Sequence, residues 1–334
     1  MILGHGDDAF RFDRPIRANF SSNVYSHVDL SRLKEHLAAH LDVIGNYPEP
    51  EPYRLEAAIA GRLGIDASSV CVTSGATEAI YLTAHAFSGS RSAILQPAFS
   101  EYEDACNLYG HTIEETDLSR ADLFWFCNPN NPDGYVMPKE AVISLIKAHP
   151  ITIFVTDQSY GFFTKEPLLS PAEALRYPNV LQLHSMTKRY AMPGLRLGYV
   201  TGNPELLDKL RAVRMPWSVN ALAIEAGLYL AEHPDTAPID LDALLAEAQR
   251  LRDNLNGIPG ISVDPTQTHF MLCRMEKGRA ALLKDWLAQE RGLLIRDASN
   301  FKELDEGCFR IASQTPEEND MLVSAIREWL EALQ

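Results

Sequence analysis

No stretch of the 334-residue chain approaches the roughly 18 unbroken apolar residues that a membrane-crossing helix requires, so no membrane span is expected. Positive charge is scarce too: 30 Lys and Arg against 45 Asp and Glu leave a formal charge of −15, which argues against nucleic acid or an anionic membrane as partner. A small anionic substrate is still allowed, because a few local arginines outweigh a distant average field. The five cysteines (Cys71, Cys106, Cys127, Cys273, Cys308) are odd in number and widely spaced, and three lie inside apolar runs. No pair has metal-ligand spacing, so buried free thiols and no metal are expected. Repeats, heptads and low-complexity tracts are absent. The opening MILGHGDDAFRF carries acidic residues where a signal peptide has its apolar core, and the expected location is the cytoplasm.

What is present is globular: 46% hydrophobic and 22% charged residues, in a length that suits one large domain plus a smaller one. From about residue 53, short apolar runs bounded by turn residues (SSVCVTSG, RSAILQPAF, HTIEET, DLFWFCNP, ITIFVTD, NVLQLHS, LRLGYVTG) alternate with amphipathic helical patterns. That alternation predicts an α/β fold with a mostly parallel sheet covered on both faces, which binds ligands at the carboxyl ends of its strands. A helix near 219–232 precedes the break HPDTAP, after which a second pattern begins. It contains a helix near 239–256, strands in ISVDP, HFMLCRM, LLIRD and CFRIAS, a helix in AALLKDWLAQERG, and a terminal helix from Glu317. The expected division is an arm over 1–30, a large domain over 31–233 and a smaller α+β domain over 234–334.

Polar residues collect where the predicted strands end. VCVTSGATEAIYL runs out at Thr73, Ser74 and Gly75, and a helix starts at Ala76 whose free amides suit an anion. FWFCNPNNPDG places Asn128, Asn130 and Asn131 at the ligand edge, and ITIFVTDQSY ends at Asp157 with Tyr160 three residues on. A buried carboxylate there calls for a cationic partner. In 184-HSMTKRYAMPGLRLGY-199, Lys188 follows Ser185 and Thr187, with Arg196 eight residues later. A partly desolvated lysine loses its proton readily and becomes a nucleophile. Amides, hydroxyls and Arg196 for a phosphate, Asp157 for a ring nitrogen and Lys188 for an aldehyde together describe pyridoxal phosphate.

At these residues the chain resembles fold type I pyridoxal-phosphate enzymes, in particular the group that holds histidinol-phosphate aminotransferases and L-threonine-O-3-phosphate decarboxylases. The likeness to the decarboxylases is greater, through GHGD, FSSN at 20–23, HSMTKRYAMPGLRLGY, MPWSVNALA at 215–223 and LLIRDASNF at 293–301. It implies that Lys188 carries the cofactor covalently, that Asp157 pairs with its ring nitrogen, and that Asn131 and Tyr160 bond its phenolic oxygen. Phe99 would stack on the ring, and the backbone of Ala76 and Thr77 with Ser185, Thr187 and Arg196 would hold its phosphate. The resemblance further implies a homodimer in which Tyr47 reaches the neighbouring subunit's cofactor phosphate. Arg310 would bind the substrate carboxylate, with Arg296 and His5 for a substrate phosphate. Two departures stand out: Asp133 replaces the threonine of the family's Asn-Pro-Thr-Gly loop, adding negative charge near the cofactor rim, and Gln158 follows Asp157 where many relatives have glutamate. The implied reaction is decarboxylation of L-threonine O-3-phosphate to (R)-1-amino-2-propanol O-2-phosphate, in cobalamin biosynthesis. Transamination of histidinol phosphate is the alternative, since the same residue types serve both, and a cofactor-binding regulator without catalysis is the remote one.

Overall fold

The computed structural model describes residues 6–114 and 118–332. In chain order its strands are β1 (Ala18–Asn19), β2 (Val70–Thr73), β3 (Arg91–Ile94), β4 (Thr112–Glu114), β5 (Leu123–Cys127), β6 (Ile153–Asp157), β7 (Val180–Ser185), β8 (Gly198–Gly202), β9 (Ile261–Val263), β10 (Phe270–Met275), β11 (Leu293–Leu294), β12 (Arg296–Asp297) and β13 (Cys308–Ala312). Seven of them form one sheet in the order β2-β8-β7-β6-β5-β3-β4, parallel except for β8, which runs against both its neighbours. This is the expected α/β architecture.

Alternation along the strands accounts for the layers. In β5, Leu123, Trp125 and Cys127 enter one apolar core while Phe124 and Phe126 enter another on the opposite face. In β2, Cys71 enters the first of these and Val70 and Val72 a third, under helices Tyr53–Leu63 and Ala221–Glu232. A strand buried on both sides reads as a continuous apolar run, which is why LFWFC was legible as sheet interior. All five cysteines are buried and free. No helix among the described residues is long and apolar enough to cross a membrane.

The second sheet has the order β12-β13-β10-β9 and is antiparallel. Its strands β10 and β13 send Met271, Cys273, Phe309 and Ile311 into a core shared with helix Pro316–Glu331. The segment LLIRD, expected as one strand, divides its pairing. β11 joins the arm strand β1 in parallel, while β12 joins β13, with Ile295 fully buried between them. The arm is thereby tied to this part of the chain.

Candidate active site

Four strand ends meet at one edge of the large sheet. Because β8 is reversed, its first residue, Gly198, lies opposite both Thr73 at the end of β2 and Ser185 at the end of β7. A cleft of about 200 Å³ opens there, lined by Ala76, Thr77, Phe99, Asn131, Asp157, Tyr160, Ser185, Thr187, Lys188 and Arg196 from the large-sheet side and by Arg296 and Arg310 from the small sheet. Twelve residues singled out from the sequence thus share one cavity. Tyr47 does not join them: it is 85% exposed, with its ring 5.3 Å from that of Trp217. His5 lies outside the described residues.

Lys188 lies in the short helix Met186–Arg189 that follows β7 and donates to the backbone carbonyl of Ser22 at 2.7 Å. Burial, reinforced by the charges of Arg310 and Arg196 and opposed by Asp7 and Asp157, pulls its ammonium down to about 8. A useful fraction of free amine is therefore present near neutral pH. Asp157 is buried, and its two oxygens accept from the Tyr102 hydroxyl at 2.7 Å and the Ser159 amide at 2.8 Å. Burial raises this carboxyl, and the two hydrogen bonds and Lys188 only partly oppose it. The cationic partner that a buried carboxylate requires is not supplied by either of these neutral donors. Tyr160 is buried and shifted upward by that burial, so its hydroxyl is a proton donor across the working range.

The far end of the cleft is a cradle. Helix Gly75–Ala86 begins there with no side-chain cap on its first turn, leaving amides available for an anion. Two glycines create the space: a Cβ on Gly75, whose φ is +81°, would lie 2.7 Å from Nη2 of Arg196, and one on Gly198 would lie 2.8 Å from the Ala76 amide nitrogen. The Thr187 hydroxyl is buried without a partner. An uncapped helix start, an orphan hydroxyl and a guanidinium around glycine-cleared space fit a phosphate. A buried carboxylate held by two neutral donors, with no ion pair among the described residues, and a partly deprotonated lysine fit a pyridinium ring bearing an aldehyde. These residues therefore fit pyridoxal 5′-phosphate.

The opposite wall carries two more cations. Side chains alternate in β13, so that Phe309 and Ile311 face the small core and Arg310 faces the cleft. Arg296 on β12 lies directly across from Arg310 in the register. Both are 5% exposed, and burial pulls both guanidiniums down to about 10, with Arg310 adding to the shift of Arg296. Arg310 donates to Asn131 Oδ1 and to the Ser21 carbonyl, and its Nε has no partner. Arg296 donates to Asn300 Oδ1 at 2.8 Å and to the Asp297 carbonyl, and it lies over the Phe301 ring. Neither forms an ion pair with a carboxylate among the described residues, although like charges facing each other across strands repel.

Some expectations need correction. Asn128 and Asn130 fasten their own loop: Asn128 bonds the Met137 backbone at both its oxygen and its nitrogen, and Asn130 donates to the Pro97 carbonyl and to Asp133. Only Asn131 reaches the cleft. Asp133 does not line the cleft itself: its carboxylate accepts from the Tyr135 amide and the Asn130 side chain, both at 3.0 Å, and its charge acts on Cys127, which does. Gln158 faces away, donating to the Leu169 carbonyl. Sequence reasoning missed Tyr102, which reads as one more core aromatic in SEYEDA. It also missed the roles of the Ser21 and Ser22 carbonyls, which no side-chain pattern reveals.

Comparison with known proteins agrees with this geometry. Residues 16–326 match the model of the family described as aminotransferase class I and II. The threonine-phosphate decarboxylase of Salmonella typhimurium is 29% identical over 93% of this chain and 91% of that protein. A histidinol-phosphate aminotransferase of Caldanaerobacter subterraneus subsp. tengcongensis is 30% identical over 85% and 84%. Among solved structures, L-threonine-O-3-phosphate decarboxylase from Porphyromonas gingivalis superposes with a TM-score of 0.91 at 39% identity, covering 94% of this chain and 99% of that one. The chain belongs to the class I and II aminotransferase family, enzymes of the pyridoxal 5′-phosphate superfamily.

Proposed function

We propose that the protein decarboxylates L-threonine O-3-phosphate to (R)-1-amino-2-propanol O-2-phosphate, a step of cobalamin biosynthesis. The observation that carries this reading is the facing pair Arg296 and Arg310, buried in the same cleft as Lys188 without a carboxylate of their own. Two desolvated guanidiniums side by side call for a ligand with two anionic groups, and a phosphorylated amino acid has a carboxylate and a phosphate.

The bound cofactor supplies an electron sink for the substrate's alpha carbon. Lys188 Nζ holds its aldehyde, Asp157 keeps its ring nitrogen protonated, and the Tyr160 hydroxyl and Asn131 hold its phenolic oxygen, with Phe99 against the ring. The Ala76 and Thr77 amides, Ser185, Thr187 and Arg196 hold its phosphate. Arg310 grips the substrate carboxylate, and Arg296 takes the substrate phosphate, a role for which His5 is also a candidate. Arg310, by fixing the direction of the substrate carboxylate, would select which bond of the alpha carbon the electron sink weakens, and so decarboxylation against proton removal. Carbon dioxide released from L-threonine O-3-phosphate with no keto acid present is the expected result. Glutamate formed from 2-oxoglutarate would put the second reading first, transamination of histidinol phosphate, which the 30% identical aminotransferase favours.

The working unit in this proposal is a homodimer. Leu41, Ile44, Tyr47, Tyr53, Met215 and Trp217 are all exposed, and the Trp217 amide donates to the Pro50 carbonyl, tying the two segments that carry them. A second copy would cover this surface and receive Tyr47 at its cofactor phosphate. Sedimentation should give twice the chain mass, and a monomer at micromolar concentration would reject the arrangement.

A further inference from the structure

Among the described residues, one cluster outside the cleft groups side chains that could hold a metal ion. His36 and His40 lie one turn apart, on helix Ser31–Ala39 and at its C-cap, and face Glu225 on helix Ala221–Glu232. Leu33 and Leu37 of the first helix pack into the same core as Ala226 and Leu230 of the second, which fixes the two backbones relative to each other. The His36 ring is held between two others, with centroids 4.1 Å from His40 and 4.3 Å from Tyr229. Its Nε2 is 2.7 Å from Glu225 Oε1, while Nε2 of His40 is 4.0 Å from the same oxygen. All three donor atoms lie within 4.8 Å of one another.

We propose that His36, His40 and Glu225 form a binding site for a divalent transition-metal ion of the zinc type. Two imidazoles and one carboxylate are ligands such an ion takes, with water completing the shell. Donor atoms around a tetrahedral zinc are about 3.3 Å apart, given bonds near 2.0–2.1 Å. The two distances to Glu225 Oε1 fall on either side of that spacing, and binding requires side-chain rotations that open the His36–His40 stack so that both in-plane lone pairs converge on the ion. The tautomer of His40 is already suitable. Its Nδ1 is 2.7 Å from the His36 carbonyl, which can only accept, so the proton sits on Nδ1 and the Nε2 lone pair is free. His36 Nε2 donates to Glu225 in the metal-free state, so binding shifts that proton to Nδ1 of the same ring, or to solvent if the ring is doubly protonated. His40, at 45% side-chain exposure, leaves a path for the ion. The bound metal would clip the two helices together just ahead of the segment bearing Tyr47.

The test is calorimetric titration of zinc chloride into the holoenzyme at pH 7.5 in a non-chelating buffer, with melting temperature as a second readout. Saturable binding of one ion per chain and a raised melting temperature are expected. His40→Ala should weaken binding by about tenfold or more. Glu225→Gln, which keeps the side-chain shape, should also weaken it, and the remote His149→Ala should not. Both site variants should melt close to the unaltered protein in EDTA and keep its turnover. Absence of saturable binding, or affinity in His40→Ala and Glu225→Gln unchanged from that of the unaltered protein, would overturn the assignment.

Discussion

Two buried arginines in this molecule have opposite surroundings. Arg214 has a side chain 2% exposed and is fully answered: its guanidinium meets Glu56 at 3.1 Å, Glu51 at 2.6 Å and the Val72 carbonyl at 3.1 Å. Glu56, itself 5% exposed, also accepts from the Val72 amide, so the group stitches helix Tyr53–Leu63 to β2. Arg310 is as deeply buried, yet it meets an amide oxygen, a carbonyl and a second arginine. Burying a charge without an opposite charge is costly. Where the counter-charge comes from the protein, the arginine contributes to structure. Where it is missing, the cost is offset only when a ligand brings it, and the arginine serves binding.

Lys188 belongs with Arg310, as a partly buried cation whose hydrogen bond goes to a carbonyl. Lys188→Ala should give the largest effect. Turnover should fall by at least about 10⁴-fold, with loss of the cofactor absorbance band that borohydride fixes to the protein. Full turnover in that variant would place Lys188 outside the chemistry. Next in size is the answered pair. Glu56→Ala strands the Arg214 charge with half-exposed Glu51 and should cost about 3 kcal/mol of unfolding free energy in urea titration, leaving kcat/KM of the folded enzyme near its starting value. Arg310→Met should do the reverse. It should lower kcat/KM by roughly 30-fold or more, about 2 kcal/mol or more of lost charge-pair binding, while stability holds or rises. If the two variants exchanged phenotypes, the contrast between structural and binding arginines would fail.

Much of this was legible in the sequence because the same physics writes both. β5 (LFWFC) is buried on two faces and is an unbroken apolar run, while β6 (IFVTD) and β7 (VLQLHS) are apolar runs interrupted by Thr156 and by Gln182 and His184. The polar residues at or just past their ends, Asn128, Asp157 and Ser185, mark the ligand edge. Asp157, Ser185 and Lys188 could be placed for that reason. The pairing of Arg296 with Arg310 could not, since it depends on the register of β12 against β13, and the division of LLIRD between two sheets depends on where the arm lies. Asp133 could not be oriented from the sequence, because composition gives a charge but not its direction: in the loop, an Asx-type turn binds the carboxylate to the Tyr135 amide. Ser21 and Ser22 act through carbonyls, which every residue has.

The smallest effect expected is one of pH, and it separates Lys188 from an ordinary surface lysine. Burial holds its ammonium near 8 in the folded protein, against an ordinary value of about 10.5 in the unfolded chain. Below pH 8 both states carry the charge and the folded state bears the full cost of burying it. Between about 8 and 10.5 the folded lysine has released its proton while the unfolded one retains it, so this group makes the cofactor-free protein more stable as pH rises through that window. The urea midpoint of the unaltered apoprotein should therefore gain on that of Lys188→Met between pH 7.5 and 9.5. The rate at which apoprotein captures pyridoxal phosphate depends on free amine and should level off just above pH 8. A capture rate still climbing at pH 10 would mean that Lys188 is solvated like any other lysine, and the contrast between answered and unanswered charge would then rest on the arginines alone.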